Sequence, residues 1–254
     1  ADYRGSGRFS GRLTATMVMG GAVAQKLLKY SLGVETIAYT TQIGQISCSS
    51  LSYEEAKQNR YTNEVRCPSP KIAEKMKSNI IEARKNGDSL GGIVECISVG
   101  LPIGLGEPIF SSMESDLSKA LFSIPSVKAI EFGSGFSGTK LKGSQNNDEY
   151  AVSKDNKIIT KTNNSGGILG GLTNGMPLVI KIGFKPASSI AIKQKTIDLV
   201  SKTECEIVVP GRHDPCVVPR AVPVVESLVS FILADHAIRC ELIPPVLGDR
   251  KNEH

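Results

Sequence analysis

Arg212, His213, Asp214 and Arg220 fall inside one short stretch, residues 211–223 (GRHDPCVVPRAVP), stiffened by Pro215, Pro219 and Pro223. Arginine keeps its charge at any working pH and can grip an oxyanion through two parallel donors. Histidine titrates near neutrality, so His213 beside Asp214 is a pair able to move a proton. An aspartate before a proline is also a common turn residue, and that plainer role for Asp214 stays open. What sets the stretch apart is so much charge on a stiff backbone, directly before a strongly apolar segment.

Three other blocks carry potential chemistry. Residues 4–12 (RGSGRFSGR) place Arg4, Arg8 and Arg12 among three glycines, just ahead of a helical pattern. Bare backbone amides, positive side chains and a helix N-terminus together suit an oxyanion, whereas a plain basic terminus with Ser10 as N-cap is the simpler alternative. Residues 165–175 (SGGILGGLTNG) hold five glycines in eleven positions, a backbone pressed against something flat or bulky, or simply a tight turn. Ten residues further on, Lys185, Pro186, Ala187, Ser188 and Ser189 bring a cation and two hydroxyls onto a proline-stiffened turn, which suits a phosphate. His236, on the last helix, reads as a core or surface histidine.

These blocks need elements to hold them. Residues 13–30 read as a helix, with Gly33 as its stop; the internal Gly20-Gly21 pair costs about 1 kcal/mol per glycine against alanine and calls for a closely approaching partner. Residues 34–48 alternate as a strand, 70–86 form a helix opened by Pro70, and 91–99 read as a buried strand. A helix over 116–123, a strand over 127–132, strands over 176–184 and 206–209, and a helix over 221–239 complete the pattern. Residues 143–166 are polar and long enough to suggest a mobile flap. The order lacks a βαβ rhythm and a GxGxxG fingerprint, so the fold class expected is α+β in layers, without a Rossmann unit.

Composition limits the function classes. With 254 residues and 40% apolar content the chain buries a substantial core. A net charge of +5 without a run of like charges falls short of a nucleic-acid-binding tail and equally suits an enzyme for an anionic substrate, so charge alone does not decide; 5% aromatic content offers no stacking platform for single strands. The six cysteines, at 48, 67, 96, 205, 216 and 240, show neither CxxC nor metal-ligand spacing, so reduced thiols and no metal are expected. No run of about 18 uninterrupted apolar residues occurs, and the expectation is a soluble cytoplasmic protein with neither nucleic acid nor membrane as partner.

Residues 211–223, 165–177 (SGGILGGLTNGMP) and 7–15 (GRFSGRLTA) together resemble chorismate synthase. The resemblance runs over essentially the whole chain and matches about the last two thirds of the family's pattern. It implies a single α+β domain, a sandwich of antiparallel sheets enclosing helices, assembled as a homotetramer. It also implies reduced FMN as cofactor and 5-enolpyruvylshikimate 3-phosphate as substrate, converted to chorismate by 1,4-elimination of phosphate. Carried over residue by residue, Arg8, Phe9 and Ser10 would meet FMN, with Ser10 also near the chemistry, and Arg12 would face the substrate phosphate. Pro125, Ser126 and Gly170 would touch the flavin, and Lys185, Pro186, Ala187, Ser188 and Ser189 (KPASS, for the family's KPTSS) its phosphate. Arg212 would serve flavin and substrate, and Asp214 a proton relay. Gly11 stands where the family's GRxSAR pattern has alanine.

The family's two catalytic histidines, one in a GESHG-like segment, belong to the part of the pattern that precedes Ala1. The expectation is therefore a fragment of a longer enzyme, the 254 residues alone falling short of normal turnover. The alternative is a non-catalytic flavin-binding remnant or scaffold. Whether flavin would be reduced by the protein's own NADPH-dependent activity or by an external source is left open by the sequence.

Overall fold

A computed structural model of the protein describes residues 10–49, 51–154, 156–211 and 213–244. After a single 3-10 turn at Gly11–Leu13 come α1 (Thr14–Leu32), β1 (Glu35–Ile43), β2 (Ile46–Ser47), α2 (Tyr53–Asn59), α3 (Pro70–Lys85) and β3 (Gly92–Val99). Next are α4 (Met113–Leu121), β4 (Val127–Phe132), the one-turn helices α5 (Gly135–Gly138) and α6 (Gly143–Asn146), and the hairpin of β5 (Tyr150–Val152) with β6 (Ile158–Thr160). The chain continues through β7 (Ile168–Leu169), β8 (Leu172–Thr173), β9 (Leu178–Phe184), β10 (Gln194–Asp198), β11 (Thr203–Ile207) and α7 (Val218–Arg239).

The frame is a five-stranded sheet in the order β2-β1-β3-β9-β4, with every neighbouring pair antiparallel. Ala38, Val94, Cys96, Ile180 and Ile182 point from one face into the main core, where α1, α3, α4 and α7 supply Leu28, Met76, Leu117 and Val229. From the other face Ile37, Tyr39 and Ile97 meet Tyr53 and Ala56 of α2. Cover on both sides explains why β1 is buried continuously from Thr36 to Thr40 where a one-sided strand would alternate. The α+β class with antiparallel sheets is thus observed, and the described residues supply one large sheet with its helix layer.

Local signals account for most boundaries. Gly33 ends α1 in the left-handed region at φ 72°, its N–H bonded to Lys29 O, and Gly87 does the same after α3 at φ 70°. The strand expected over 34–48 is instead a hairpin, because Gly44 at φ 56° turns the chain between β1 and β2. Helix α2 escaped the sequence reading despite a full capping box, in which Ser52 Oγ accepts from Glu55 N and Glu55 Oε2 accepts from Ser52 N. Helix α7 starts three residues before the expected 221, since Pro219 fits the first turn, where no N–H is required. It is long and apolar enough to cross a membrane, yet 67% of its apolar window is packed inside the fold.

Within the polar segment, the Asp148 carboxylate accepts from Thr162 Oγ1, Asn164 N and Ser165 N. Burial pushes its pKa up, but the hydrogen bonds outweigh it and hold the group below the ordinary carboxylate value. The strand expected over 206–209 lies instead at Thr203–Ile207, paired with the unexpected β10. Both strands are largely solvated, so no period-two pattern marks them.

Glu35, at the start of β1, clasps α1 and α2 to the sheet through Lys29 Nζ at 2.8 Å and through Lys57 Nζ. The hydrogen bond from Lys29, then that from Lys57, lowers its pKa from about 4.5 to about 2. A depressed carboxylate adds stability that is complete above the unfolded-state pKa and is lost as pH falls through the folded-state value. Glu35→Gln should therefore flatten the loss of stability between about pH 4.5 and pH 2 in acid titrations followed by circular dichroism. An acid limb as steep as the unmodified protein's would exclude the clasp.

Candidate functional site

Three separate segments meet at the N-terminal ends of α1 and α7. The 3-10 turn before α1 presents Ser10 and Arg12, the turn after α4 presents Pro125 and Ser126, and the turn before α7 presents Asp214. Between them lies a cleft of about 370 Å³ lined by Arg12, Thr14, Pro125, Ser126, Asp214 and Arg220, with Ile124, Val217 and Val224 as apolar wall. A second hollow of about 360 Å³ shares Thr14, Pro125 and Ser126 and adds Ser10, Ser123, Lys128 and Lys185. Lys185 N donates to Ser126 O at 2.9 Å, so two segments 59 positions apart in sequence are fastened at the backbone. Ser126 is held at φ 74°, a left-handed geometry that costs a non-glycine residue about 1 kcal/mol and tends to persist where surrounding structure enforces it.

Each side chain has an identifiable support. Ser10 Oγ accepts from Arg12 N at 3.3 Å, which makes Ser10 the cap of the turn and aims the Arg12 backbone N–H at it. Asp214 Oδ1 accepts from Cys216 N at 3.3 Å, while Oδ2 lies 3.0 Å from Arg220 Nη1. His213 Nε2 donates to Val209 O at 2.7 Å, which ties the ring to the preceding loop. Cys216 is buried, and burial pushes its thiol up to about 11, so it stays protonated at neutral pH and is no nucleophile. His236 is fully buried, with Nε2 3.0 Å from Asp116 Oδ2, an internal clamp between α7 and α4.

The remaining sequence-predicted residues are distributed unevenly. Lys185 and Pro186 follow β9 and are exposed; Ser89 Oγ donates to Ala187 O at 2.6 Å, and Ser188 and Ser189 continue the exposed loop. Gly170 lies elsewhere. It forms the turn of the β7–β8 hairpin with Gly171, at φ 62° and 86°, the geometry of a type I′ turn. A Cβ at Gly171 would lie 2.8 Å from Ser112 Cβ, whereas one at Gly170 would meet nothing within 4 Å. This hairpin joins the Leu178 end of β9 and Lys185 follows the other end, a separation of about 20 Å for a strand of this length. Within one chain, then, Gly170 does not line the cleft. Arg8, Phe9 and Arg212 lie outside the described residues.

Lys128 and Ser123 were missed by sequence reading, and nothing in their local pattern signals them; only pairing of β4 with β9 carries Lys128 to Lys185. As a donor set, cations and hydroxyls beside an apolar wall fit a phosphate attached to a flat ring, so FMN is chemically compatible with the two hollows.

The chain matches the family described as chorismate synthase over residues 1–238. It is 48% identical over 246 residues to a chorismate synthase of Dehalococcoides mccartyi, covering 97% of this chain and 67% of that protein. It is 51% identical over 238 residues to one of Korarchaeum cryptofilum, covering 94% and 65%. A solved structure, the crystal structure of chorismate synthase, superimposes with a TM-score of 0.77 at 29% identity, over 91% of this chain and 65% of that one. The chain thus spans about two thirds of the length of these relatives. With its family match, its relatives and its antiparallel frame in agreement, this chain belongs to the chorismate synthase family.

Proposed function

We propose that this chain carries the flavin and phosphate side of a chorismate synthase site, which converts 5-enolpyruvylshikimate 3-phosphate to chorismate and inorganic phosphate. The observation that supports it most is the convergence of Ser10, Arg12, Pro125, Ser126, Lys185 and Asp214 on two adjoining hollows. The reaction removes phosphate and a ring proton across a 1,4 relationship, with no net oxidation. Reduced FMN, held there, would supply the electron density that the elimination needs. Arg12 binds the substrate phosphate and stabilises the charge that grows on it. Lys185, with Ser126 and the serines of its own loop, holds the cofactor phosphate. Asp214, fixed at both carboxylate oxygens, takes up or relays the proton. The apolar wall of Ile124, Val217 and Val224 keeps water from the reacting ring.

The reading extends to a cytoplasmic homotetramer. Its support is the exposed apolar set Met19, Val23 and Phe231 on the outer side of α1 and α7, at 70%, 69% and 52% exposure, together with six free cysteines.

Calorimetric titration tests the assignment. Lys185→Ala is expected to weaken FMN binding about tenfold or more, the worth of a charge-assisted hydrogen bond. Arg12→Ala should weaken 5-enolpyruvylshikimate 3-phosphate by a similar factor and leave FMN binding intact. Unchanged affinities in both variants would sink the reading. FMN binding without chorismate formation, followed by absorbance with photoreduced flavin, would favour the non-catalytic flavin-binding alternative.

A further inference from the structure

Among the described residues, the charged groups lining the 370 Å³ cleft are Arg12, Asp214 and Arg220. Their arrangement is unequal. Asp214 is three-quarters buried, its side chain 26% exposed, and its Oδ2 is taken by Arg220 Nη1 at 3.0 Å. Arg220 is the third residue of α7, with a side chain 80% exposed, so it reaches back over the helix start from the solvent side. The other carboxylate oxygen already accepts from Cys216 N. With both oxygens engaged, Asp214 leaves Arg12 without a carboxylate partner among the described residues of the cleft, and Arg12 keeps its positive charge for an incoming anion. Without Arg220 the described residues of the cleft would hold one cation and one carboxylate on the same walls, and the two would neutralise each other.

We propose that Arg220 is a positioning residue that sequesters the Asp214 carboxylate, thereby fixing its orientation and keeping Arg12 available to an anionic ligand. The role rests on the reading of the cleft as the flavin and phosphate site, and it concerns a residue to which that reading gives no part. Only one nitrogen of the guanidinium makes the contact, so the charge matters more than the forked shape.

A double-mutant cycle on the intact chain tests this, with 5-enolpyruvylshikimate 3-phosphate as the probe and calorimetric titration as the readout. Arg220→Gln should weaken 5-enolpyruvylshikimate 3-phosphate about fivefold, the upper range for an exposed ion pair. Arg220→Lys, which keeps the charge, should stay within about twofold of the unmodified protein. The decisive variant is the double one: Asp214→Asn with Arg220→Gln should return to the affinity of Asp214→Asn alone, because no carboxylate remains to be sequestered. Full affinity in Arg220→Gln would overturn the proposal. So would a double variant as weak as Arg220→Gln, since Arg220 would then be touching the ligand itself. A second readout needs no ligand: the side-chain nitrogen resonances of Arg220 in 15N-labelled protein should move on Asp214→Asn, and unmoved resonances would equally overturn it. If the unmodified chain binds no 5-enolpyruvylshikimate 3-phosphate, the site reading fails, while the resonance experiment still decides whether Arg220 holds Asp214.

Discussion

Gly21→Ala is expected to cost about 3 kcal/mol or more, at the severe end for overpacking a core, and to lower the melting temperature by about 6–12 °C for a chain of this size. Helices α1 and α7 cross at this point. A Cβ on Gly21 would lie 2.2 Å from Ser227 Cβ and 2.5 Å from its Cα. The second distance decides the outcome, because a backbone atom has no rotamer to escape to, so the helices must separate. Separation would loosen Leu28, Val225 and Val229, all of them core residues of these two helices. Gly20→Ala is the internal control: its Cβ would sit 3.7 Å from the Phe231 ring, an ordinary contact. Helix propensity should then make Gly20→Ala neutral or stabilising by up to about 1 kcal/mol. Urea denaturation followed by far-ultraviolet circular dichroism measures both. Equal behaviour of the two variants would refute the crossing.

The glycine pair shows what was legible in the sequence and what was not. Two adjacent glycines inside a helical pattern announce a close approach, but only the partner helix says which one needs it. The site divides along the same line. Ser10, Arg12, Lys185 and Asp214 were readable because each sits in a short motif whose residue types serve charge or turn geometry. That Ser126 and Lys185 share a backbone hydrogen bond depends on β4 pairing with β9, a long-range choice with no local trace. Gly170 illustrates the converse: its φ of 62° is fully explained by a two-residue turn, so glycine content alone could not place it at or away from the cleft. Among the elements, long helices with caps were found to within three residues. The solvated β10–β11 hairpin and the seven-residue α2 were lost because neither buries enough apolar surface to impose a period.

Glu226→Ala is expected to cost about 3–5 kcal/mol, the range for removing one partner of a buried ion pair. This carboxylate, in the apolar run of α7, was not singled out by its neighbours in sequence. In the fold it joins four elements. Oε2 accepts from Ala38 N of β1 at 2.9 Å and lies 3.6 Å from Arg60 Nε just after α2, and Oε1 accepts from Gln25 Nε2 of α1 at 3.1 Å. Strand β2 pairs only with Gln42 and Ile43, so the outer edge of β1 needs other partners. Glu226 takes Ala38 N and the carbonyl of Arg66 takes Thr40 N. Truncation to alanine strands the fully buried Ala38 N–H and removes the carboxylate that faces Arg60 Nε. Glu226→Gln keeps an acceptor for Ala38 and should cost less, about 1–3 kcal/mol. The pH dependence has the opposite sign to that of Glu35. Burial raises the pKa of Glu226, and Arg60, Ala38 N–H and Gln25 offset it only in part. The folded state therefore binds this proton more tightly than the unfolded chain does. Its contribution falls as pH rises from about 4.3, the unfolded-chain value, through the raised folded value. The stability of the unmodified protein relative to Glu226→Gln should accordingly decline from acid toward neutral pH in denaturant titrations. A difference that grows over that interval would mean that the Arg60 pair outweighs burial, and that the edge of β1 is sealed by a fully ionised bridge.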